Sequence, residues 1–171
     1  MHLRLLCFLL VLIVNQALSQ KSIRPTDQLV IEGEVKHKLH VSLMDLSRYR
    51  IYTRDSFRIT NHLKEPRSLV RDLKLVLLKD VLAEAKIKSP GPKQLSEYYF
   101  IAEASDGYKV VFSWNELFNT PVGNEVYLVV GYDHQAGVQM PNRIALLSAG
   151  DEATGRRYLK GLKKMIIKRV H

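Results

Sequence analysis

Apolar residues along this chain recur mainly at every second position, and in three places the spacing changes to that of a helix. The alternation predicts short strands. Residues 98–104 are rich in aromatic and small apolar side chains, Ser105-Asp106-Gly107 supplies a turn glycine, and Tyr108, Val110 and Phe112 then fall on one side of the pleat. A β-hairpin follows from that pattern. Ser113 precedes Glu116 by three residues, the spacing of a capping box, and so predicts a short helix over 114–118. Earlier in the chain, 29–35 reads as a strand broken at Gly33 and 39–43 as a half-buried strand. Ser42 and Asp45 then have the spacing of an N-cap pair for a helix over 43–48.

Residues 49–60 mix arginines with β-formers and predict a strand or a ragged strand pair. The stretch 61–68 reads as a polar loop and 69–74 as a further edge strand. Leu78, Val81, Leu82 and Ala85 recur at i, i+3, i+4 and i+7, one helical stripe running to about Lys86. Ser89-Pro90-Gly91-Pro92 can continue neither helix nor ladder, so it separates two halves of one domain. In the second half, 125–130 is nearly all apolar and predicts a strand buried on both faces. Strands over 143–147 and 165–170 close the fold, with a turn at Ala149-Gly150-Asp151.

The first nineteen residues stand outside this pattern. Arg4, the apolar run 5–14 and the small residues Ala17-Leu18-Ser19 predict a cleaved secretory signal peptide over 1–19, with a retained anchor as the alternative. A disordered lead-in over 20–27 and one domain over 28–171 would follow. Export places the protein in the periplasm or outside the cell; a membrane-surface location requires that the signal be retained. The one cysteine, Cys7, lies in the signal, so the 152 residues left of 171 have no disulfide, thiolate ligand or cysteine nucleophile. They suffice for one buried core.

Charge adds a direction. The full chain carries a net +9, and cleavage removes only Arg4, leaving 25 basic against 17 acidic residues. Residues 155–171 hold seven Lys and Arg and no carboxylate. In an exported chain without a helix-turn-helix, zinc-finger or aromatic RNA-binding motif, nucleic acid is not the expected partner. An anionic small molecule, a lipid headgroup or a partner protein fits the charge, as does a merely solvated basic face. His37 and His40 point to opposite faces of an extended chain with no third ligand near, so no metal site is predicted. Asp133 and His134 lack a nucleophile in an elbow context and read as a polar strand end.

Several short runs, taken in order, resemble the molybdopterin-binding domain of the sulfite oxidase-like oxidoreductases, especially small exported bacterial members. They are Ile31-Glu32-Gly33-Glu34-Val35, the LHVSLMDL run at 39–46, Leu78-Lys79-Asp80-Val81-Leu82, and Ala104-Ser105-Asp106-Gly107-Tyr108. Phe112-Ser113, Glu116-Leu117, Gly150-Asp151 and 156–162 complete the set. The resemblance implies an α+β fold: a mixed, mostly antiparallel, coiled and partly barrel-like sheet with short peripheral helices. It also makes molybdopterin the candidate cofactor, without the expected cysteine ligand; the sequence itself names no cofactor. Family enzymes hold molybdenum through a cysteine thiolate between the Asp45 and Leu78 helices, yet 49–77 contains none, and Arg58, Ile59 and Thr60 stand near its place. Neither arginine nor threonine offers a polarizable anion.

The expected function is therefore an exported, non-catalytic binding module for an anionic, pterin cofactor-like ligand or a partner protein. The alternative is a molybdopterin-dependent oxidoreductase whose metal ligand is not cysteine or comes from a partner. Candidate ligand-binding residues are Arg54, Arg58 and His62 in the segment replacing the metal loop, and Arg156, Arg157 and Lys160 after the Asp151 turn. Guanidinium groups suit phosphate or carboxylate recognition.

Overall fold

The computed structural model describes residues 22–170; the expected signal peptide, 1–19, lies outside the described residues. Alternating apolar positions build two sheets. The first runs in the order β2 (Leu39–Ser42), β1 (Gln28–Gly33), β11 (Leu162–Arg169), β5 (Tyr98–Ala104), β6 (Lys109–Ser113). Within it β1 and β11 are parallel and every other pairing is antiparallel. The second runs β10 (Tyr158–Leu159), β9 (Ala145–Ser148), β7 (Val126–Tyr132), β4 (Pro66–Leu77), β3 (Tyr52–Thr60), with β8 (Gln135–Ala136) paired to β7. Strands from both sides of the proline breaker share each sheet, so neither half closes a core alone.

The packing follows from the pleat. β5 alternates buried and half-buried residues along its whole length, as a strand with one core face should. β7 is buried on both faces: Val126 and Leu128 join the core between the sheets, while Tyr127 and Val129 belong to a second core on the far side of the second sheet. β4 splits the same way, with Val76 in the first core and Leu75 and Leu77 in the second. That second core exists because β3 and the first part of β4 curl over the sheet, bringing Ile59, Val70 and Leu73 onto Tyr132 and Leu147.

Among the described residues three short α-helices of four, six and five residues cap the strands: α1 (Leu43–Leu46), α2 (Leu78–Ala83) and α3 (Trp114–Phe118). The capping boxes are formed, Ser42 with Asp45 and Ser113 with Glu116. The predicted stripe of Leu78, Val81, Leu82 and Ala85 is at most 2% exposed, although α2 ends at Ala83 and α1 at Leu46. Helix therefore contributes little, and the α+β expectation resolves as a mixed, mostly β fold with a curled half-barrel.

Of the two alternatives for 49–60, the structure has the single strand, β3, which begins at Tyr52. Two local expectations need correction. The loop expected over 61–68 is shorter, because β4 begins at Pro66, where a strand's first residue needs no ladder donor. The edge strand expected over 69–74 is an edge only before Lys74; Lys74 and Leu75 pair with both β3 and β7, and Val76 and Leu77 pair with β7. The described part of the expected disordered lead-in, 22–27, has no helix or strand but is tied down. Thr26 Oγ1 donates to the Leu162 carbonyl at 2.7 Å and accepts from the Ile144 amide at 2.9 Å, while Asp27 pairs with Arg143 at 2.5 Å. Gly33 ends β1 at φ +104°, and a Cβ there would lie 2.1 Å from the Ile167 carbonyl oxygen, which explains the break in the first strand.

Candidate functional site

The two edges of the curled second sheet meet at a pair of threonines. Thr60, last in β3, and Thr154, in the 3-10 turn Thr154–Arg157 before β10, exchange bonds. The Thr60 amide donates to Thr154 Oγ1 at 2.9 Å, and the Thr154 amide donates to Thr60 Oγ1 at 3.0 Å. Thr154 Oγ1 also reaches the Arg58 carbonyl at 3.3 Å. Gly155 follows because the backbones touch: a Cβ there would sit 2.5 Å from the Thr60 carbonyl oxygen. Lys64 and Glu152 pair across the same seam.

Above this clasp lies an open groove of about 390 Å³. Ile59, Thr60, Asn61 and His62 form one wall, Arg67 at the start of β4 adds to it, and Gly155, Arg156 and Tyr108 form the other. Asn61 shapes the hairpin tip: its Oδ1 accepts from the Leu63 and Glu65 amides at 2.8 and 3.0 Å, and its amide nitrogen donates to Glu65 at 2.8 Å. Tyr108 Oη donates to the Arg156 carbonyl at 2.8 Å and so fixes the turn that presents the Arg156 side chain. The carboxylates nearest in sequence are occupied, Glu65 by Asn61 and Glu152 by Lys64, whose hydrogen bond holds the Glu152 carboxyl below the ordinary range. Among the described residues neither Arg67 nor Arg156 has an ion-pair partner within 4.0 Å.

The six candidate residues separate accordingly. His62 and Arg156 line the groove together, from opposite walls. Arg58 is exposed on β3 and does not line it. Arg54 is directed elsewhere: it pairs with Glu125 and lies over the Tyr127 and Phe57 rings, 5.7 and 5.9 Å from their centroids. Lys160 sits 5.7 Å from the Tyr158 ring, also off the groove. Arg157 is a structural clamp. Its Nε and Nη2 grip Asp151 at 2.7 and 2.5 Å, its Nη1 reaches Glu116 at 2.5 Å, and its guanidinium lies 4.4 Å from the Phe112 ring centroid. The hydrogen bonds it donates to Asp151 and Glu116 outweigh burial and push its pKa above the ordinary arginine value. Three of its five N–H donors are committed to these two carboxylates, which fix the guanidinium in place.

Two groove residues are not marked by the sequence pattern. Arg67 falls inside the stretch that reads as a polar loop, and Tyr108 shares its side of the pleat with Val110 and Phe112, which are buried, whereas Tyr108 is 49% exposed. The signal for Arg67 is the strand start permitted by Pro66; nothing local marks Tyr108.

The remaining polar motifs are structural. Asp133 and His134 both have positive φ, 46° and 62°, the backbone of a type I′ turn between β7 and β8. Asp133 Oδ1 accepts from the Arg71 amide at 2.9 Å and His134 Nε2 lies 3.2 Å from Asp72. His40 Nδ1 is 3.0 Å from Gln28 Oε1. Among the described residues no three His, Cys, Asp or Glu side chains converge as a metal site would require.

No family model and no curated protein sequence matches this chain. Among solved structures it is similar to a chain of the sulfane dehydrogenase SoxCD from Paracoccus pantotrophus, at TM-score 0.59 and 18% identity. The match covers 84% of this chain and 39% of the SoxCD chain, so this chain spans well under half the length of that relative. At that identity the likeness speaks to the fold: this chain shares the mixed, strand-dominated fold of part of the dehydrogenase.

Proposed function

We propose that this chain is an exported, non-catalytic binding module on a sulfite oxidase-like scaffold, and that it takes an anionic small molecule into the groove over the Thr60–Thr154 clasp. The observation that carries this reading is the convergence of Arg67, Arg156 and His62 on one groove, with the neighbouring carboxylates turned into other partners. Charge-assisted bonds from two guanidinium groups suit a phosphate or carboxylate. Tyr108 positions Arg156, and the Tyr108 ring and Ile59 offer apolar surface to an organic body.

The same donors do not fit a molybdenum centre bound through a protein thiolate. The groove presents guanidinium, imidazole, amide and hydroxyl groups; residues 22–170 hold no cysteine, and Thr60 Oγ1 is already engaged by Thr154 and Glu152. No step through that cofactor is derived. The likeness to a dehydrogenase favours one second reading, an oxidoreductase whose metal ligand comes from a partner subunit.

Titration with inorganic phosphate and with a pterin phosphate, followed by calorimetry over a salt series, tests the binder. Arg156→Ala and Arg67→Ala are each expected to weaken binding about tenfold or more, since a hydrogen bond to a charged group contributes roughly 1.5–3 kcal/mol. Affinities unchanged in both variants overturn the groove assignment. Stoichiometric molybdenum in protein purified from its native host would replace the binder with the oxidoreductase.

A further inference from the structure

A second surface stands apart from the groove. Of the nine large hydrophobic side chains exposed among the described residues, three lie on segments that border one hollow: Ile51 (41% exposed) in its wall, Met44 (74%) next in sequence to the lining residue Leu43, and Val138 (71%) next to the lining residue Gly137. The hollow, about 260 Å³, lies between α1, the chain before β3, and the β7–β8 region. Leu43, Val130 and Ala136 line it along with Ile51. α1 packs beside the 3-10 turn Gly137–Gln139, so Met44 and Val138 lie on adjoining elements that each give one residue, Leu43 and Gly137, to the wall. Among the described residues the only charged group in its wall is Lys74, and no carboxylate lines it. Lys74 and Arg67 lie on the same strand, seven residues apart, and the hollow and the anion groove share no lining residue.

A cluster of apolar side chains this exposed marks a contact surface, and a concave one receives an anchor side chain. Methionine at the rim adapts to the shape of what enters. We infer that this hollow docks an acidic exported protein, which inserts an apolar side chain flanked by carboxylates against Lys74. Charge selects this occupant over the others. A second copy of the chain would bring two strongly basic molecules together and set Lys74 against its own symmetry mate. A lipid surface would meet the exposed Met44 and Val138 but leave the concave hollow beside them unfilled.

The test uses two synthetic peptides, each with one central leucine, flanked by glutamates in one and by lysines in the other. Their titration is followed by amide shifts of the labelled protein and by fluorescence anisotropy. The glutamate peptide is expected to bind weakly, to shift the amides of Leu43, Ile51 and Val138, and to lose affinity at least fivefold in 0.5 M salt. Met44→Glu and Val138→Glu should each weaken it at least tenfold, while Arg156→Ala leaves it unchanged, which separates this surface from the groove. Both rim positions are exposed, so the variants should melt with the parent, and circular dichroism checks this. Equal binding of the lysine peptide, shifts centred elsewhere, no binding, or unchanged affinity in both rim variants overturns the assignment. So does sedimentation that shows a dimer lost in Val138→Glu, or Met44-dependent binding to anionic phospholipid vesicles.

Discussion

Arg157→Ala separates a structural arginine from a ligand-binding one. The side chain is 20% exposed and carries three hydrogen bonds of 2.5 to 2.7 Å, two to Asp151 and one to Glu116. Truncation leaves the Asp151 carboxylate, itself 15% exposed, with only Ser148 Oγ at 2.8 Å. It also removes the cation above Phe112. Removing one partner of a buried pair costs about 3–5 kcal/mol, and the partial exposure here argues for the lower end, about 3 kcal/mol. For a domain of this size that corresponds to a fall in Tm of about 6–12 °C. Calorimetry reads it directly. A cycle with Asp151→Asn should be strongly non-additive, because a neutral amide at that position leaves no buried charge behind when the arginine goes. Arg157→Lys should recover little, since an ammonium cannot reproduce the two-pronged grip. If Arg157→Ala instead melted within about 2 °C of the parent and lost phosphate affinity, the clamp reasoning would be wrong and Arg157 would belong to the ligand site.

Other outcomes follow from the same structure. Lys38 and Lys164, 2.7 and 2.9 Å from Glu32, hold its carboxyl down at about 2 from an ordinary 4.5. A depressed folded-state pKa stabilises above 4.5 and ceases to do so as pH falls toward 2, so Glu32→Gln should be less stable than the parent at pH 7 and equal to it near pH 2 in urea titrations. A constant gap between the two proteins at both pH values would contradict this. Thr154→Val leaves the Thr60 amide without its acceptor at the seam, which should cost about 1–3 kcal/mol and speed exchange of that amide; unchanged exchange would show that the clasp does not hold the sheet edges. If the proposed signal is cut after Ser19, melts with and without dithiothreitol should coincide and thiol reagents should label nothing, whereas one label per chain would show that Cys7 is retained.

What could be read in the sequence was local. The alternation of 98–104, the capping boxes at Ser42 and Ser113, the stripe of Leu78, Val81, Leu82 and Ala85, and the two-sided burial of 126–129 all depend on neighbours within a few residues, where periodicity and hydrogen-bond reach are set by backbone geometry alone. The curl of β3 and β4 was implied only by the family resemblance and by no local pattern, because it depends on a second core assembled from strands far apart in the chain. That curl decided which cations remain available. Arg54 is matched by Glu125, seventy-one residues away, and Arg157 by Glu116, forty-one residues away, whereas Arg67 and Arg156 meet at a seam joined by Thr60 and Thr154, ninety-four residues apart. A run of arginines states how much positive charge there is; only the folded chain assigns each one to a carboxylate or to a groove, since an ion pair is a matter of a few ångströms in space and not of separation along the chain.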